Sequence, residues 1–192
     1  MKIKSTGLLI TFSLFAIPAY AHTGLATAPG LVHGILHPML GLDHLLVMLA
    51  VGVWAIMLGA KAWWQLPFSF LVAMVAGAGM AWLGFSLHAS ETLVAFTLLA
   101  IGLLLWQQTR LSTLWAAMLV ALFAVVHGYV HAVELTSDSN ALAYAAGFLL
   151  GTALLHAIGL SLGILAAARL KLLGKTMALA CTVVGIALLA GV

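Results

Sequence analysis

His37-Pro38-Met39-Leu40-Gly41-Leu42-Asp43-His44, running on into Leu45-Leu46-Val47-Met48-Leu49-Ala50-Val51, decides how this chain is read. Two imidazoles and a carboxylate stand at the head of a long apolar run. An ionisable side chain near the centre of a bilayer span costs about 3 kcal/mol or more, so its presence there points to function. A second cluster repeats the pattern: His127-Gly128-Tyr129-Val130-His131-Ala132-Val133-Glu134 closes another apolar run. Imidazole with carboxylate is a donor set that suits divalent first-row metals.

The 192 residues are 65% hydrophobic and 6% charged, with a mean hydropathy of +1.25, which is the composition of an integral membrane protein. Polar stretches are only a few residues long and leave no room for a soluble catalytic domain. The net charge of +3 does not indicate nucleic-acid binding, because the basic residues lie in short connections and at the N-terminus. A single cysteine, Cys181, excludes an internal disulfide and any CxxC metal site.

Residues 1–21 read as a secretory signal: Lys2 and Lys4, an apolar stretch over 8–17, and Ala19-Tyr20-Ala21 as the cleavage site. Cleavage leaves 22–192 as one transmembrane domain with His22 at the mature N-terminus. Six apolar runs, at about 36–59, 66–87, 92–108, 113–133, 142–168 and 175–192, are long enough or nearly so to cross about 30 Å of hydrocarbon as helices. The expected fold is an all-α membrane protein, a compact bundle of six transmembrane helices with antiparallel neighbours. Lys61, Arg110, Arg169, Lys171 and Lys175 fall in the first, third and fifth connections, and Glu91, Glu134 and Asp138 in the second and fourth. The positive-inside rule then predicts that both termini lie outside the cytoplasmic membrane, in agreement with the signal segment. Gly147/Gly151 and Gly159/Gly163 have GxxxG spacing and predict tight helix packing.

On a straight helix His37 and His44 lie about 20° apart, His33 joins them if the helix reaches that far, and Asp43 lies about 100° round from His44. Pro38 fits best in the first helical turn. That would make His37 a cap-like residue at the outer interface, with Asp43 and His44 about 8–10 Å deeper. His127, His131 and Glu134 form an i, i+4, i+7 stripe. The predicted topology puts both clusters in the outer half and His156 deeper. His22, His33, His37, Asp43, His44, His127, His131 and His156 then read as successive weak metal sites, which allow both loading and release.

Blander readings stand beside this one. Asp43 with a histidine can be a structural pair, and His127, His131 and His156 can bond between helices. Exposed His22 and His33 require no explanation, and His88 and Glu91 fit the membrane interface. The residues by themselves justify a divalent transition metal and no particular one.

The first run resembles the HPxxGxDH signature of the HupE/UreJ hydrogenase/urease accessory proteins. Residues 123–134 resemble their second histidine-rich helix, and 147–156 their fifth helix. The resemblance implies a secondary permease carrying Ni²⁺, in some branches Co²⁺, from periplasm to cytoplasm for hydrogenase or urease maturation. It implies metal-transport roles for His37, Asp43 and His44, and in a supporting place for His127, His131 and Glu134. Ala132 stands where a second glycine often follows the histidine. No prosthetic cofactor is expected; the partners are the metal ion, the bilayer and, indirectly, the maturation proteins, and a homo-oligomer is compatible with the sequence. The rivals are a non-transporting metal sensor or accessory subunit and a membrane metalloenzyme. The latter is disfavoured by the lack of HExxH, and no phosphate-binding loop provides for ATP coupling.

Overall fold

Pro38 and Gly41 break the first apolar run in two. The computed structural model describes residues 30–134 and 140–191; the predicted signal segment, its cleavage point, His22 and Asp138 lie outside the described residues. Helix α1 spans Gly30–Leu40 and α2 spans Leu42–Leu58, and their axes meet at 78°. Proline lacks the amide that would continue the ladder, and its ring crowds the carbonyl four residues back. Gly41 then takes an extended conformation (φ −80°, ψ 116°). Its amide bonds the His37 carbonyl at 3.3 Å and its carbonyl accepts from the Leu45 amide at 2.9 Å, so the corner is tied to both helices. This corrects the expectation of one straight helix with Pro38 in its first turn. Pro38 lies in the last turn of α1, and His37 is a half-buried helical residue, not a cap.

The chain continues through α3 (Ala62–Trp82), α4 (Ser90–Trp106), α5 (Thr113–Val133), α6 (Ala141–Leu165), a 3₁₀ turn (Ala167–Arg169) and α7 (Leu170–Ala190). Lys171 and Lys175, expected in a connection, lie in the first turns of α7, where lysine is a good helix former. Among the described residues four helices are long and apolar enough to cross a membrane, α3, α5, α6 and α7 with its preceding turn; the bent α1–α2 pair makes a fifth if counted as one span. Helix α4 is apolar but has 17 residues, about 25 Å of helix. Among the described residues there is no strand.

Helix α2 is the centre of the bundle. Residues Val47, Met48, Ala50, Val51, Val53, Trp54 and Ala55 are fully buried, which is the all-round apolar burial of a core helix. It packs against α3, α4, α6 and α7. Trp54 Nε1 donates to the Thr109 carbonyl at 3.1 Å, fastening the far end of α2 to the α4–α5 connection. The outer faces carry exposed Phe68, Val72, Trp115, Leu122, Val183 and Ile186, an apolar surface suited to lipid.

Backbones touch where glycines face each other. A Cβ on Gly77 would collide with the Val125 carbonyl of α5, and one on Gly128 with the Met74 carbonyl of α3. Gly147 and Gly151 meet the Leu31 and Ile35 carbonyls of α1, while Gly159 and Gly163 meet α2 at Leu49 and Ile56. Both GxxxG pairs thus lie at helix interfaces, one against each half of the broken helix.

Candidate metal site

The bend at Gly41 folds His37 back toward His44. On a straight helix seven residues would separate them by about 10.5 Å along the axis; here their ring centroids are 6.3 Å apart and nearly parallel. Helix α5 supplies the third imidazole. His131 lies 4.1 Å from the His44 ring and 4.8 Å from the His37 ring, centroid to centroid. One ligand nitrogen from each of His37, His44 and His131 falls within 4.8 Å of the others, so three helices converge on one point. Two ligands bound to one ion at about 2.1 Å can stand at most about 4.2 Å apart. Full coordination by the trio therefore draws the rings slightly inward.

Two carboxylates flank the rings. Asp43 Oδ2 is 3.2 Å from His44 Nδ1. Glu134, just past the end of α5, reaches back to His131 Nδ1 at 3.4 Å and across to His37 Nε2 at 3.7 Å with the same oxygen. Asp43, partly buried, and Glu134, exposed, contribute negative potential beside the imidazoles. Phe148 and Tyr144 of α6 wall the site: the Phe148 ring lies 4.2 Å from that of His131, tilted by 45°, and Tyr144 lies edge-on to both His33 and His37.

His127 continues the series one turn along α5. Its ring is 5.2 Å from His44, and Nδ1–H donates to the Phe123 carbonyl at 2.9 Å. A neutral imidazole so bonded turns its lone pair out at Nε2. His156 uses the same device on α6, with Nδ1–H to the Thr152 carbonyl at 2.8 Å. Both Nε2 atoms are buried without a hydrogen-bond partner, as is His131 Nε2, while the buried Nδ1 atoms of His44 and His131 face only the carboxylates of Asp43 and Glu134. An unsatisfied buried polar atom costs about 1–3 kcal/mol. A binding site that gives these lone pairs a cation offsets that cost.

His33 stands one turn before His37 on α1, half-buried, with its ring 5.8 Å from that of His37, but is not among the three converging residues. His156 lies apart as well, eight residues and about 12 Å of helix beyond Phe148. Phe70 of α3 fills the gap between the inner histidines, with its ring 5.9 Å from His127 and 4.9 Å from His156. Nothing in the sequence distinguishes Phe70 from the other aromatics of its apolar run; only the packing of α3 against α5 and α6 sets it between two imidazoles.

The profile of the HupE / UreJ protein family matches residues 10–188. The chain belongs to the HupE/UreJ family. It is 41% identical over 162 residues to Protein HupE of Rhizobium leguminosarum bv. viciae, covering 83% of this chain and 84% of that protein. No solved structure shows a significant match. In this HupE/UreJ chain the converging histidines come from both broken-helix halves and from α5.

Proposed function

We propose that this protein is a secondary permease that carries Ni²⁺, or Co²⁺, from the periplasm to the cytoplasm across the bacterial inner membrane, supplying hydrogenase or urease maturation. Family membership supports the class, and one observation supports the route: three imidazoles from three helices meet at one end of an apolar bundle. In this reading the bent pair and α4 each cross the bilayer, giving six spans behind a cleaved signal. The basic connections lie in the cytoplasm and the histidine cluster opens outward.

Nickel is the cargo. Asp43 and Glu134 draw the cation in, and His33, with His22 at the mature N-terminus, offers the first contact. His37, His44 and His131 form the filter. His127 and then His156 accept the ion through their outward-turned Nε2 atoms, past the Phe70 ring. Neutral imidazoles compensate the ion's lost hydration without thiolates, whose tight binding would hinder release. A divalent cation gains about 4.6 kcal/mol per 100 mV of inside-negative potential, so facilitated diffusion is sufficient to drive uptake. The chemistry is binding and release, and no bond is made or broken in the cargo. A non-transporting sensor would use the same trio but has no need of lone pairs continuing inward to His156.

Proteoliposomes with an imposed inside-negative potential test the proposal. Labelled nickel is expected to accumulate above the empty-liposome level, with cobalt competing more strongly than magnesium, a hard cation that prefers oxygen ligands. Tight nickel binding without accumulation would favour the sensor and overturn the permease.

A further inference from the structure

The end of the bundle opposite the histidine trio holds a cavity of about 320 Å³ between the α4–α5 connection and the start of α7. Arg110, Arg169, Lys171 and the Gln108 amide line it, with Met57 and Leu170 as apolar neighbours. Arg169 and Lys171 flank the N-terminus of α7, whose first-turn amides add partial positive charge. Gln108 is held at φ 54°, a left-handed conformation that disfavours any residue but glycine, at the edge of this cavity.

No counter-charge faces these cations among the described residues. Asp43 begins α2, Glu91 begins α4 and Glu134 follows α5, each about 20 Å or more of helix from the cavity. Arg110, Arg169 and Lys171, each exposed, bring three like charges to the lining of one cavity, and an anion seated there relieves their mutual repulsion. The surroundings favour an amphiphile: Leu165, 85% exposed, and Leu172, 58% exposed, flank the basic turn on the outer faces of α6 and α7.

We propose that this cavity binds the phosphate of an anionic glycerophospholipid, with its acyl chains lying against the exposed leucines. Basic pockets between transmembrane helices on the cytoplasmic side are suited to such headgroups. Three cations match a headgroup with two phosphates better than one with a single charge. The inference rests on the membrane reading of the bundle and is independent of the metal.

Native mass spectrometry of the purified full chain, titrated with cardiolipin, phosphatidylglycerol, phosphatidylcholine or inorganic phosphate, tests it. Retention is expected in the order cardiolipin, phosphatidylglycerol, phosphatidylcholine. Arg110→Gln with Arg169→Gln is expected to weaken cardiolipin retention by about tenfold or more. Lys61→Gln with Lys175→Gln, which removes two basic residues that do not line the cavity, is expected to leave retention within about twofold. Equal retention of phosphatidylcholine by the wild-type chain would overturn the proposal, and so would equal loss in both double variants. Binding of inorganic phosphate without the lipids would replace the lipid with a soluble anion. Should the arginine variant fail to fold, the wild-type lipid series decides alone.

Discussion

Exchange of His131 for alanine is expected to lower nickel uptake by about 100-fold or more. His131 is the hub of the cluster: its ring lies within 4.8 Å, centroid to centroid, of His37, His44 and Phe148. Its Nε2 is buried without a hydrogen-bond partner, and its Nδ1 faces only the Glu134 carboxylate at 3.4 Å. Losing a group that merely orients a metal ligand costs about 10–100-fold in affinity, and losing a ligand belongs at or beyond the top of that range. The two remaining imidazoles would then hold a more hydrated ion less selectively. His88→Ala is the control, since His88 is exposed in the α3–α4 connection outside the cluster; its uptake is expected to match wild type. Equal loss in both variants would sink the assignment of His131.

Gly128→Ala is expected to destabilise the bundle severely although it adds one methyl group. That methyl would collide with the backbone carbonyl of Met74, and Gly77 makes the reciprocal contact with Val125. Neither neighbour is a flexible side-chain end, so α3 and α5 must separate along their whole interface. Overpacking of this kind costs about 3 kcal/mol or more. It also displaces His127, the adjacent residue, so metal binding falls with stability. Gly79→Ala on α3 has nothing within 4 Å of the new methyl and is expected to leave stability unchanged or raise it by up to about 1 kcal/mol. Thermal unfolding in detergent separates the two: a lower Tm for Gly128→Ala with an unaltered or higher one for Gly79→Ala.

Apolar run length carried much of the fold into view. The run over 113–133 became α5 with the same bounds, and the runs at 66–87 and 142–168 became helices shifted by a few residues. The break at Gly41 was not legible in the same way. Proline and glycine are each tolerated in membrane helices, and the choice to bend depends on α6 receiving both halves, through Gly147 and Gly151 on one side and Gly159 on the other. Periodicity therefore groups His37 with His44 on one face of a straight helix, whereas the structure joins them through a corner. The spacing of His127, His131 and Glu134 showed their shared stripe, because α5 is unbroken. Phe70, Tyr144 and Phe148 were hidden for the opposite reason: in an apolar chain an aromatic carries no local signal, and its place beside an imidazole comes from tertiary packing.

X-ray absorption at the nickel edge of the metal-loaded protein reads the ligand shell itself. A nitrogen/oxygen shell with outer scattering from about three imidazoles is expected. That imidazole signal is expected to fall in His37→Ala and in His44→Ala. A nickel shell of water and carboxylate oxygen alone, or a spectrum indifferent to both substitutions, would contradict the three-imidazole site.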